Sequence, residues 1–371
     1  MDLASLQHSL FLGALGNALL NSLWQGFILW VVYETVIISY KNAGAKFKHN
    51  LSVLLIFGSF IWFISSLIPN LLITQKGTLS VSSINNLETT GAASLSPLQE
   101  ILSVTGHILP YLSVAYIFLL FFLMVKLFTA YRHVHFIAKN NLIDPPAYLK
   151  IFAGKVASQL AIPKKIKVWI SHHIEVPATV GFIKPVILIP FASINNLTVH
   201  QLEAIILHEL SHIKRNDYLV NLFISVIETI LFFNPFVVIF IKIIRREREN
   251  CCDDFVLQYR YDPQSYASAL LRLEQSRRNN VSLALGAVSG KKQLLSRIKR
   301  ITGTHIVTPF NYVQKLLALF ITTGIFCSLA WLPPSGIKKE VKNISPKENN
   351  TIPHKPQLEI IAPLSNVVKI N

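Results

Sequence analysis

Apolar residues gather in four long runs, at residues 18–38, 51–73, 108–128 and 316–332. Crossing the hydrocarbon core of a bilayer takes roughly 17–25 residues of helix, so each run is expected to be a membrane span. Asn21, Gln25 and Glu34 interrupt the first run, the second carries no charge, and Pro110 and Lys126 mark the third. Glu34 is expected at the interface near Lys41, because a carboxylate is costly in lipid. Between runs three and four the pattern shortens. Residues 147–160 read as a helix opened by Pro145-Pro146, and residues 166–170 alternate like a strand. Residues 176–182 and 186–189 read as two β runs around Ile183-Lys184-Pro185. Thr198-Val199-His200-Gln201 is a capping-box pattern, and Leu202, Ile205, Ile206 and Leu210 give the helix it starts an apolar face. Residues 219–241 are apolar enough to resemble a fifth span, but Glu228 and Asn234-Pro235 interrupt them. They are expected to form a buried, membrane-packed or re-entrant segment broken near Asn234-Pro235.

The fold class that follows is a mostly α membrane protein of about four transmembrane helices. An α+β domain is inserted between spans three and four. The divisions are a membrane region at 1–130, a soluble domain at 131–315, a fourth span at 316–332 and a disordered tail at 333–371. Composition agrees: of 371 residues, 51% are hydrophobic and only 15% charged, with a mean hydropathy of +0.45. The net charge of +16 is read through the positive-inside rule. Lys41, Lys46 and Lys48 follow the first run, whereas residues 74–106 hold Lys76 against Glu88 and Glu100. That puts the inserted domain in the cytosol of a multi-pass membrane protein. The lysines of the tail, Lys338 to Lys369, run against this polarity. No Lys or Arg precedes residue 18, so the first run is expected to stay as a helix rather than be cleaved. Direct nucleic-acid binding is not expected, since no such signature accompanies the charge. Vicinal Cys251-Cys252, with Cys327 inside a run, implies no disulfide framework.

His208-Glu209-Leu210-Ser211-His212 carries the chemistry. Two histidines four apart share a helix face and can reach one metal, with Glu209 placed to take a proton from a water. A zinc site that hydrolyses peptides needs a third protein ligand and one open position. Glu249 is the candidate, and Asp253, four residues on, is placed to hold the free ring nitrogen of a ligand histidine. If residues 219–241 crossed the bilayer fully, His208 and Glu249 could not meet. Glu247 lacks an acid four positions later and is the weaker alternative. Asp217 is a minority candidate for supporting His212, Cys252 reads as a small buried side chain, and His172-His173 read as loop histidines. Tyr218, His172 and Arg245 are the guesses for an oxyanion donor.

The order of these motifs resembles the beta-lactam-sensor/methicillin-resistance antirepressor (BlaR/MecR-type) family of membrane zinc metallopeptidases. The resemblance rests on His208–His212 with Lys214-Arg215-Asn216-Asp217, Asn234-Pro235-Phe236, and Glu247-Arg248-Glu249 with Cys252-Asp253. Val180 to Pro190 and Ser296 to Arg300 add to it. It implies a zincin-like (gluzincin) domain with Zn²⁺ on His208, His212 and Glu249, Glu209 as general base and Asp253 as an outer partner. Well-known members carry a penicillin-binding-protein-like sensor after the fourth span. Residues 333–371 are too few to build one, so direct antibiotic sensing is not expected of this stretch. The favoured function is regulated proteolysis in signal transduction, with cleavage of a winged-helix repressor, of the chain itself, or both. Quality control of membrane proteins and a non-enzymatic relay with a structural zinc stand as alternatives, and a homodimer is an open assembly.

Overall fold

Why the apolar runs fold as they do is clearest from where their polar interruptions go. The computed structural model describes residues 10–40, 43–77, 97–259, 261–280 and 287–303, and these are mostly helical. Three helices are long and apolar enough to cross a membrane: α1 (Leu10–Ser39), α2 (Ala45–Gly77) and α3 (Pro97–Ile137). Their apolar stretches, Phe11–Ser39, Ala45–Ile68 and Ile108–Ile137, contain or overlap the three expected runs. The expected fourth span at 316–332, the tail and Cys327 lie outside the described residues.

After α3 come β1 (Leu142–Ile143), α4 (Ala147–Gln159), β2 (Lys167–Ser171), β3 (Ala178–Val180) and β4 (Val186–Pro190). The remaining elements are α5 (Phe191–Asn196), α6 (Val199–Lys214), α7 (Asp217–Ile230), α8 (Pro235–Gln258), α9 (Pro263–Asn280) and α10 (Ala287–Ile301). The strands form one sheet in the order β1-β2-β4-β3. β3 and β4 make the expected antiparallel hairpin, with Ala178 opposite Leu188. Gly181 turns it at φ 94°, where a Cβ would sit 3.1 Å from the Lys184 carbonyl oxygen. β2 adds to the other side of β4 in parallel register, Val168 opposite Ile187. β4 is thus internal and fully buried at Ile187, Leu188 and Ile189, whereas β3 pairs on one side only.

The apolar stretch 219–241 is α7 plus the start of α8, broken where Asn234-Pro235 required. Asn234 Oδ1 accepts from the Phe236 and Val237 amides at 3.0 and 3.4 Å, and Pro235 occupies the first turn, where a missing N–H costs nothing. The membrane helices satisfy the rest of the break. Asn234 Nδ2 donates to the Ser22 carbonyl of α1 at 2.8 Å, and Tyr116 of α3 donates to the Ile230 carbonyl at 2.9 Å. Gly26 allows this approach, since a Cβ there would lie 3.0 Å from Asn234 Nδ2.

Two apolar clusters result. One joins α1 and α2 to α7 and α8 through Leu15, Ile56, Ile227 and Phe240. The other surrounds α6 with Leu149, Ile187, Leu207, Val256 and Leu270. Leu207 and Leu210 are fully buried on either side of the motif's first histidine, and cutting either to Ala would cost about 2–5 kcal/mol. α8 runs through both clusters.

Candidate active site

The site begins with the helix start that the sequence specified. Gln201 N–H donates to Thr198 Oγ1 at 3.3 Å and Thr198 N–H donates to Gln201 Oε1 at 3.1 Å, a closed capping box. This fixes the phase of α6, so the rings of His208 and His212 emerge on one face with centroids 4.9 Å apart. Glu249 arrives from α8, its Oε2 3.5 Å from His208 Nε2. His208 thus stands beside both His212 and Glu249.

Each histidine is held from behind through Nδ1. For His208 the nearest partner is a residue the sequence reading missed: Tyr266 of α9, whose hydroxyl oxygen lies 2.9 Å from Nδ1. That hydroxyl donates onward to Asp253 Oδ1 at 2.8 Å, while Asp253 itself stands 3.4 Å from Nδ1. Asp253 thus supports His208 mainly through a tyrosine relay, where a direct contact was expected. A second missed residue, Arg297 of α10, grips both Asp253 oxygens at 2.9 and 2.8 Å and approaches Glu249 Oε2 at 3.4 Å. For His212 the partner is Asp217, Oδ2 to Nδ1 at 2.8 Å. Asn216, in the left-handed region at φ 57°, turns the chain so that Asp217 comes back beneath the α6 end. Arg215 Nε donates to the other Asp217 oxygen at 3.2 Å.

Burial alone would lower the His208 pKa, but the bonds to Asp253 and Glu249 outweigh it and raise it to about 9. Burial would likewise raise Glu249 and Asp253. His208 and Arg297 reverse that for Glu249, Arg297 and His208 for Asp253, and both carboxyls sit well below the usual range. Asp217 is also held down, burial being overcome by His212 and Arg215.

A cleft of about 360 Å³ opens over this cluster, lined by Thr179, Glu209, Tyr218, Arg248 and Glu249 among others. Glu209 Oε2 accepts from Thr179 Oγ1 on β3 at 2.8 Å, a third contact missing from the sequence reading. Of the guessed oxyanion donors only Tyr218 lines the cleft. His172 packs its ring on Phe191 at 4.3 Å, and Arg245 pairs with Glu228 at 2.6 Å. Glu247 is turned away to Arg246 and Asn250 at 2.9 Å each.

A profile of the BlaR1 peptidase M56 family matches residues 18–301, from the first membrane helix through Arg297. The chain belongs to this family. Among its relatives, the methicillin resistance mecR1 protein of Staphylococcus aureus is 29% identical over 219 residues, 57% of this chain and 35% of that protein. Regulatory protein BlaR1 of Bacillus licheniformis is 26% identical over 194 residues, 51% of this chain and 32% of that one. The matched stretch thus spans about a third of either relative's length.

Peptidases of the M56 family are in general metallopeptidases, and the cluster offers metal-binding atoms in two ways. His208, His212 and Cys252 bring one atom each within 4.8 Å of one another. Cys252 Sγ, however, lies 3.3 Å from His212 Nδ1, the nitrogen already bonded to Asp217. Burial, with Asp217 adding to it, keeps that thiol protonated, its pKa well above the ordinary thiol value, and it does not line the cleft. The set His208, His212 and Glu249 lies on the cleft side and leaves both Nδ1 contacts intact.

Proposed function

We propose that this chain is a membrane-embedded zinc endopeptidase of regulated proteolysis, with His208, His212 and Glu249 as ligands. The observation that carries the reading is the pair of committed Nδ1 nitrogens, one on Asp217 and one on the Tyr266–Asp253 relay. Both tautomers are thereby fixed with Nε2 left for a metal, and Glu249 stands beside one of them. Two imidazoles and one carboxylate suit zinc with an open position.

A zinc ion there would supply a Lewis acid that activates water and polarises the scissile carbonyl. Glu209 takes the water's proton and returns it to the departing amine. The Thr179 hydroxyl holds Glu209 Oε2 and so fixes the carboxylate at the cleft. Tyr218 is the proposed donor to the developing oxyanion. Burial, reinforced by Tyr131, pushes its phenol up to about 12, so it keeps its proton at neutral pH. An extended peptide would pair along the open side of β3 and be read mainly through its backbone. β4 cannot serve in this way, because it is paired on both sides.

The peptidase part faces the cytosol in this proposal, as the lysines after the first span require. The relatives' names, a methicillin resistance protein and a regulatory protein, support a regulatory role; a cytosolic repressor as the protein substrate is part of the proposal. The test compares membranes carrying the wild-type chain and Glu209→Ala for new protein termini. Termini that depend on Glu209, with equal zinc content in both, support the endopeptidase. Identical termini under every inducing condition would overturn it.

A further inference from the structure

Behind the metal-site helix, on the face away from the cleft, a second cavity of about 700 Å³ lies between the start of α2 and the end of α6. Its lining carries three cations, Lys46, Lys214 and Arg215, and one buried imidazole. Lys46 and His49 come from the first turns of α2, and Lys214 and Arg215 from the end of α6. The two acids on its wall are already committed, Asp217 to Arg215 and His212, and Asp254 to Arg300. Among the described residues, neither Lys46 nor Lys214 has a carboxylate partner. His49 is buried to 4% exposure, with Nδ1 3.4 Å from the Ile244 carbonyl. The positive end of the α2 dipole, at Ala45, opens into the same space.

A second feature adjoins it. An apolar groove of about 600 Å³ runs along α2 past Phe47, Leu51 and Leu54, and it shares Gly44, Lys46 and Asn50 with the basic cavity. Leu54 is 69% exposed there and Phe47 42%. A basic chamber continuous with an apolar channel on a membrane helix has the chemistry of a lipid: an anionic head and a hydrocarbon tail.

We infer that the cavity and groove together bind one anionic phospholipid. Its phosphate sits among Lys46, His49, Lys214 and Arg215, and one acyl chain lies along Leu51 and Leu54. Clusters of basic side chains at the cytosolic ends of spans favour such headgroups. The lysines that orient the first loop lie on the side where these lipids would be recruited. The bound lipid clasps α2 to the end of α6. This inference rests on the membrane placement proposed above and not on the peptidase chemistry.

The test uses the full chain in neutral detergent, with native mass spectrometry and thermal unfolding as readouts. Phosphatidylglycerol, phosphatidylcholine, glycerol 1-phosphate and inorganic phosphate are titrated separately. Phosphatidylglycerol is expected to stay bound and raise the melting temperature where phosphatidylcholine does not. Lys46→Gln combined with Lys214→Gln should weaken it on the order of 10–30-fold, taking each cation at its usual worth beside an anionic surface. Lys46→Arg combined with Lys214→Arg should keep most of the affinity, so that the loss in the Gln pair reads the charges. Leu54→Trp, which fills the groove, should weaken the phospholipid and leave glycerol 1-phosphate unchanged. Equal retention of both phospholipids, or unchanged phosphatidylglycerol binding in the double variant, would overturn the site. Stabilisation by inorganic phosphate equal to that by phosphatidylglycerol would overturn its assignment to a lipid.

Discussion

Tyr266→Phe isolates the relay behind His208 with the loss of one oxygen. The hydroxyl accepts from Nδ1 at 2.9 Å and donates to Asp253 at 2.8 Å, and its removal leaves both groups in place. Two facts limit the damage. Asp253 keeps both bonds from Arg297, and its Oδ1 is already 3.4 Å from Nδ1, close enough to take over with a longer contact. Loss of an outer partner of a ligand histidine costs 10–100-fold in metal affinity, and the fallback places Tyr266→Phe near the low end, about tenfold or about 1.4 kcal/mol. Asp253→Asn removes the charge that both the relay and the fallback depend on. It should weaken zinc by about 100-fold, and because it leaves Arg297 buried without its main partner it should also cost about 3–5 kcal/mol of stability. The assay is competition against a chromophoric zinc chelator on the full chain in detergent, alongside thermal melts. If Tyr266→Phe binds zinc within twofold of wild type, or loses as much as Asp253→Asn, the relay is not what holds His208.

Four further outcomes follow from the structure. Thr179→Val should lower peptidase turnover by about tenfold at unchanged zinc content, because Glu209 loses the bond that fixes its orientation; this is read from kcat with a cleavable peptide. Zinc affinity should rise about tenfold per pH unit up to about pH 9 and then level off, since the metal must displace the His208 proton. In the metal-free protein the raised His208 pKa gives stability that is full below about pH 6.5 and lost as pH rises through about 9. The depressed Glu249 and Asp253 give stability that is lost in acid, so melts in chelator should peak between about pH 5 and 6.5. Asn234→Ala should destabilise the chain by about 2–3 kcal/mol in detergent unfolding. It uncaps α8 and leaves the Ser22 carbonyl without its side-chain donor.

What could be read from the sequence was what local geometry dictates. A four-residue interval places His208 with His212 and Glu249 with Asp253 wherever the backbone is helical. The Thr198 capping box and the Asn234-Pro235 break are likewise properties of a few adjacent residues. Tyr266 escaped because nothing near it in the chain marks it, and Ser296 to Arg300 stood out only as a resemblance that gave Arg297 no role. Tyr266 lies 58 residues from His208 and Arg297 lies 44 from Asp253, and only the packing of α9 and α10 onto α6 and α8 brings them in. Asp217 was underrated for a related reason. Its reach to His212 depends on one left-handed residue, Asn216, whose conformation no periodicity announces. The parallel β2–β4 pairing decides which strand is left with an open edge, and it too is invisible to patterns read one strand at a time.

The continuity of α8 gives the site a mechanical property. Phe240 and Ile241 are locked among the membrane helices, and Glu249, on the same unbroken helix, lies about 14 Å further along its axis. A helix of this length behaves as a stiff shaft. Turning it by about 20° swings a side-chain tip some 5–6 Å from the axis through about 2 Å, as large as a whole zinc–oxygen bond. In the zinc site proposed above, a small twist of α1 and α2 against Phe240 would therefore carry Glu249 toward the metal or away from it. The apolar end of α8 and its Glu249 end are two faces of one crank, with no flexible linker between them.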